Sequence, residues 1–120
     1  MPFERWGGQP FFDALVERFY EGVAADPLLR PMYPEDLTES KAYLALFLAQ
    51  YWGGPEAYNE ARGHPRLRMR HAPFAIGEDE ARAWVRHMTA ATEASGLPDD
   101  EQALLLEYLT MAARSLQNTR

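Results

Sequence analysis

QYWGGP at positions 50–55 and RGHPRLRMRHAPF at 62–74 are the stretches whose reading decides the fold. Gly53-Gly54-Pro55 is a firm helix stop, since two residues without a Cβ are followed by one without an N–H. Leu44, Phe47, Leu48 and Tyr51 precede it at helical spacing, so a helix opens at Thr38 or Glu39 and ends there. Residues 55–65 lack periodicity and read as a loop with one turn of helix at most. Arg66 to Ala72 fits a short helix between Pro65 and Pro73, with Leu67 and His71 four apart on one face.

Working outward, Phe12, Leu15, Val16, Phe19, Tyr20 and Val23 recur at three- and four-residue steps, the pattern of a helix with one buried side. Asp26-Pro27 ends that helix, and LLRPMYPED with Pro31 and Pro34 reads as a tight corner. Glu78 to Ser95 is a further long helix with acidic residues in its first turn and Ala81, Trp84, Val85, Met88 and Thr92 along one side. Gly96-Leu97-Pro98 separates it from a last helix, begun by Asp99, Asp100 and Glu101 and striped by Leu105, Tyr108, Leu109, Ala112 and Leu116. No segment alternates as a strand does, so the expected fold is all-α. With 120 residues, 47% of them hydrophobic, and no repeat or linker, residues 1–120 are expected to form one domain.

Composition narrows the chemistry. Cysteine is absent, which excludes disulfides, iron–sulfur clusters, thiolate zinc sites and cysteine nucleophiles, and leaves His or carboxylates for any metal. No stretch approaches the roughly 20 apolar residues that span a bilayer, and no leader pattern opens the chain. A cytoplasmic protein without a membrane partner is expected. A net charge of −6 argues against a nucleic-acid partner. The charge is uneven, however: Arg62 to Gly77 contains no acidic residue but holds Arg62, Arg66, Arg68 and Arg70 with His64 and His71. Such an island is a solvated helix face, a nucleic-acid patch, or a site for one compact dianion that planar guanidinium groups suit.

Of the three histidines, His64 precedes a proline in a loop and His87 lies in a long helix beside Trp84 and Met88, where a border role suffices. His71 stands on its short proline-bounded helix, with no second ligand at HExxH-type spacing to make a zinc or di-iron site. Tyr20 and Trp84 fall on apolar helix sides and Tyr33 in the corner. Packing explains aromatics at such places, yet a buried hydroxyl or indole N–H without a partner costs about 1–3 kcal/mol, so several together suggest a polar guest. No GxSxG, GxxxxGK[ST] or GxGxxG pattern is present.

From about Gly8 to Leu116 these blocks and their spacing resemble the truncated, two-over-two globins, and among them the group II or O-type branch. QYWGGP and RGHPRLRMRHAPF carry the resemblance most specifically, and RFYEGVAADPLLRPMYPED (18–36) and the Trp84 helix extend it. It implies heme b as cofactor, with His71 as proximal iron ligand and Tyr20, Tyr33 and Trp84 as distal donors. Ser40, Leu44 and Phe47 would face the heme from the distal helix, and Arg70, with Arg62 and Tyr58, would lie near the propionates. Ser40 is small where many globins carry a large polar residue, which widens the entry. The implied partner is a diatomic gas, oxygen, NO or CO, held by hydrogen bonds of about 1.5–3 kcal/mol that slow release roughly 10- to 100-fold per donor. That argues against simple oxygen delivery. Three functions follow: an oxygen-binding or sensing globin, a heme enzyme such as a nitric oxide dioxygenase or peroxidase-like protein served by a separate reductase, and a helical interaction domain without heme. Oligomeric state, with a homodimer as one option, stays open.

Overall fold

The computed structural model describes residues 1–119; the side chain of Arg68, one of the four island arginines, lies outside the described residues. The helices are α1 (Pro2–Arg5), α2 (Gln9–Ala24), α3 (Thr38–Tyr51), α4 (Ala57–Arg62), α5 (Leu67–His71), α6 (Glu78–Glu93) and α7 (Asp99–Leu116), with a single 3-10 turn at Arg30–Met32, and no strand occurs among the described residues. The long helices form two pairs. α2 packs on α3 and α6 on α7, with α2 lying across α6 to join them.

All six apolar positions read on α2, from Phe12 to Val23, are buried. At about 1.5–3 kcal/mol for each large side chain removed from water, that one stripe accounts for much of the drive to assemble. Leu48 of α3, Met88 of α6 and Leu105 and Leu109 of α7 meet it in the same core. On α3 the closest approach uses small residues: Ala45 and Ala49, four apart, are buried with Leu48, whereas Leu44 and Phe47 are only half-buried. Tyr51, expected on the inner stripe, is instead 50% exposed and stacks on Tyr108 of α7 with ring centroids 3.8 Å apart. The alanine face turns it outward.

Two short helices depart from the sequence expectation. Residues 57–62, within a stretch expected as loop with one turn of helix at most, form the six-residue α4. Tyr58 is buried there against Phe47, and the amides of Gln50 and Asn59 tie α4 to α3: Asn59 N–H donates to Gln50 Oε1 at 3.0 Å, and Gln50 Nε2 donates to Asn59 Oδ1 at 3.1 Å. α1 is held from outside as well, by Phe3 N–H on the Trp52 carbonyl at 3.0 Å and by Trp6 packed on Trp52 at 4.9 Å between rings. No helix is long and apolar enough to cross a membrane among the described residues.

Candidate functional site

His71 is carried by α5. Pro65 and Pro73 bound it, and Arg66, with φ of +43°, turns the chain into its first residue. A five-residue helix gains too few internal bonds to offset its nucleation, so its position depends on its neighbours. Its main packing partner is α7; it has no comparable contact with α2, α3 or α6. Arg70 fastens its entry by donating from Nε to the Pro65 carbonyl at 2.8 Å and from Nη2 to the Arg62 carbonyl at 3.0 Å. Half-buried His71 has its Nδ1 2.7 Å from the Leu67 carbonyl one turn back. A carbonyl only accepts, so Nδ1 carries the proton, and in the neutral ring the lone pair is on Nε2. Nε2 has no hydrogen-bond partner among the described residues.

A second group of candidate residues is aromatic. Tyr20 of α2 meets Tyr33 edge to face at 5.4 Å and 86°. Phe19 meets Tyr20 at 5.0 Å and Trp84 of α6 at 5.2 Å, so one continuous cluster links α2, the corner and α6. Ser40, at the start of α3, acts on the Tyr20 hydroxyl and the Trp84 indole acts on that of Tyr33, although neither pair reaches full hydrogen-bond geometry. Burial, reinforced by Tyr33, pushes the Tyr20 phenol far above its ordinary value, and burial lifts Tyr33 to about 12. Both are therefore neutral O–H donors at physiological pH.

Two devices that the sequence did not disclose place this cluster. Arg30 donates to three successive carbonyls of the corner, Tyr33 at 3.3 Å, Pro34 at 2.9 Å and Glu35 at 2.8 Å, which fixes the backbone that carries Tyr33. His87, one turn beyond Trp84, places Nε2 2.7 Å from Asp26 Oδ2, while Asp26 Oδ1 accepts Leu28 N–H at 2.9 Å. That contact locks α6 to the end of α2, and the His87 ring packs so closely on Gly22 that a Cβ there would collide with it.

The structure thus brings Tyr20, Tyr33, Ser40 and Trp84 together and leaves His71 apart from them on a separately held helix. Leu44 and Phe47 lie half-buried on α3. Of the residues assigned to propionates, Arg70 has its guanidinium on backbone carbonyls, Arg62 is exposed with its guanidinium 4.4 Å from the centre of the Tyr43 ring, and Tyr58 is a core residue on Phe47. No cluster of three or more His, Cys, Asp or Glu suited to a bare metal ion occurs among the described residues. The donor set instead fits heme: one imidazole nitrogen without a hydrogen-bond partner among the described residues, a separate cluster of neutral hydrogen-bond donors, and incompletely covered apolar side chains on α3 and α6.

Comparison with known proteins agrees. The model of the family described as bacterial-like globin matches residues 2–118. Group 2 truncated hemoglobin YjbI of Bacillus subtilis is 43% identical over 111 residues, 92% of this chain and 84% of that protein. Among solved structures, a thermostable hemoglobin from Thermobifida fusca is 54% identical with a TM-score of 0.94, covering 97% of this chain and 95% of that one. The group II truncated hemoglobin of Bacillus anthracis is 41% identical with a TM-score of 0.94, covering 98% and 96%. The chain therefore belongs to the bacterial-like globin family, as a group II truncated hemoglobin, a heme protein that binds gaseous ligands.

Proposed function

We propose that this globin binds oxygen, and with it NO and CO, at a heme b whose iron is held by His71, with Tyr20, Tyr33 and Trp84 as the donors to the ligand. The observation that carries the reading is His71: its Nδ1–H is committed to the Leu67 carbonyl at 2.7 Å and its Nε2 has no hydrogen-bond partner among the described residues. When bound, heme would supply an iron that takes a diatomic gas. The Leu67 carbonyl fixes the imidazole tautomer and makes Nε2 the ligating atom. Across the pocket, neutral phenols and the indole N–H are held by Arg30 and by the Asp26–His87 contact, so little reorganisation is needed for them to donate to a polar guest. Absence of cysteine supports heme b, since thioether attachment has no thiol to use.

The test is to add hemin to the purified protein and to a His71→Ala variant, then record ferric, dithionite-reduced and carbon monoxide spectra. The unmodified protein is expected to give a stoichiometric Soret band and the ferrous carbonyl spectrum of a histidine-ligated globin, and the variant to lose it. An unaltered histidine-ligated spectrum in His71→Ala refutes the assignment of the ligand.

A further inference from the structure

Asn118 is exposed and lies outside any helix, yet every polar group of its side chain is engaged with the segment that follows His71. α7 ends at Leu116, and Gln117 turns into extended backbone, with φ of −64° and ψ of 123°. This brings Asn118 against residues 71–76. Its Oδ1 accepts Ile76 N–H at 2.9 Å, and its Nδ2 donates to the Phe74 carbonyl at 2.9 Å and, at 3.4 Å, to that of His71 itself. Its own N–H donates to the Ile76 carbonyl at 2.8 Å, joined by Thr119 N–H at 3.0 Å. A solvent-exposed asparagine needs none of these partners for its own solvation. What they satisfy is the backbone of the stretch leaving α5, which has no ladder of its own.

From this geometry we infer that Asn118 is a positioning residue for the proximal ligand. It holds the C-terminal end of α5 while Arg70 holds the N-terminal end, and between them they set the aim of the His71 ring. The inference rests on His71 being the iron ligand. Replacing Asn118 by Ala frees the Phe74 carbonyl and the Ile76 N–H and leaves the His71 carbonyl with the Phe74 N–H at 3.0 Å, so α5 can tilt and His71 samples a spread of orientations. Asn118→Asp separates the bonds, because it keeps the acceptor for Ile76 N–H and removes both side-chain donors.

The experiment is resonance Raman on the heme-loaded ferrous, unliganded protein, paired with hemin transfer to excess apomyoglobin and amide exchange at Ile76. Asn118→Ala is expected to shift or broaden the iron–histidine band, to speed hemin loss by about 10-fold, at the low end for partners of a metal ligand, and to unprotect Ile76. Asn118→Asp is expected to restore Ile76 protection while leaving the band displaced. If Asn118→Ala, or Asn118→Asp where the alanine variant does not fold, keeps the parental band and hemin-loss rate, Asn118 merely tethers the tail and the inference fails. If the unmodified protein shows no iron–histidine band, the His71 assignment itself falls.

Discussion

Replacing Trp84 by phenylalanine isolates one hydrogen bond. The indole packs on Phe19 with centroids 5.2 Å apart and presents its N–H beside the Tyr33 hydroxyl. Phenylalanine preserves an aromatic ring against Phe19 and removes the donor together with part of the ring's volume, which is why melting temperature and heme content serve as controls. A hydrogen bond to a partly charged acceptor contributes about 1.5–3 kcal/mol. At 1.4 kcal/mol per factor of ten, its loss speeds ligand dissociation by roughly 10- to 100-fold. Tyr33, lifted to about 12 by burial, stays protonated and can still donate, which places the expected effect near the lower figure, roughly 10-fold. The assay is stopped flow: the ferrous oxygenated protein is mixed with excess carbon monoxide and dithionite, and the exchange is followed in the Soret region. An oxygen dissociation rate within twofold of the parent, with the same melting temperature and heme content, refutes the role given to Trp84. A slower rate refutes it too, because the N–H would then have been competing with the ligand for Tyr33.

Gly22→Ala drives a methyl into the His87 ring, so overpacking of about 1–3 kcal/mol should lower Tm by several degrees; an unchanged Tm would show that the ring moves freely and does not lock α6 to α2. The His87 contact first, then Leu28 N–H, hold the Asp26 carboxyl below its ordinary 3.8, so the stability it contributes is complete above that value and is lost as pH falls through the lower folded one. Below about pH 4 the urea midpoint of the parent should therefore fall more steeply than that of Asp26→Asn, and parallel profiles would contradict this. Because Tyr20 and Tyr33 are both raised by burial, the oxygen dissociation rate should be flat from about pH 6 to 9, and a step in that range would mean that one phenol ionises there.

How much of this was legible in the sequence depended on how a residue exerts its effect. The six inward positions of α2 were readable because burial writes a period into a long helix. α5 was readable because Pro65 and Pro73 leave it no other length, and Leu67 and His71 fall one turn apart. α4 was not, since six residues carry one buried aromatic, and its anchor is the amide exchange between Gln50 and Asn59 across two helices. Tyr51 was misplaced because a side-chain stripe says nothing of how closely backbones approach, and Ala45 with Ala49 turned the helix. Arginine in a basic island signals a cation but not its partner: Arg70 was assigned to propionates by resemblance, and its guanidinium lies on the Pro65 and Arg62 carbonyls. Arg30, half-buried, and Asn118, exposed, escaped notice for the same reason, as polar residues whose partners are distant or local carbonyls.

His71 and the proposed aromatic donors are consequently held by different physics. Tyr20 and Trp84 ride on α2 and α6, long helices whose core burial fixes them, and Tyr33 on the corner that Arg30 holds, so disturbing Gly22 or Asp26 must act on global stability before it acts on the ligand. The proposed proximal ligand rides on five residues fastened at both ends by exposed or part-buried hydrogen bonds of Arg70 and Asn118. Single exposed hydrogen bonds add little to global stability, about 1 kcal/mol or less, because water replaces them on unfolding. They can still decide the orientation of a short helix whose main packing partner is α7 alone. Substitutions at Arg70 and Asn118 should therefore change heme retention in the loaded protein while leaving the melting of the heme-free protein nearly untouched, and those at Gly22 and Asp26 should do the reverse. A heme-free Tm lowered as far by Asn118→Ala as by Gly22→Ala would show that α5 belongs to the cooperative core and that this division of labour is wrong.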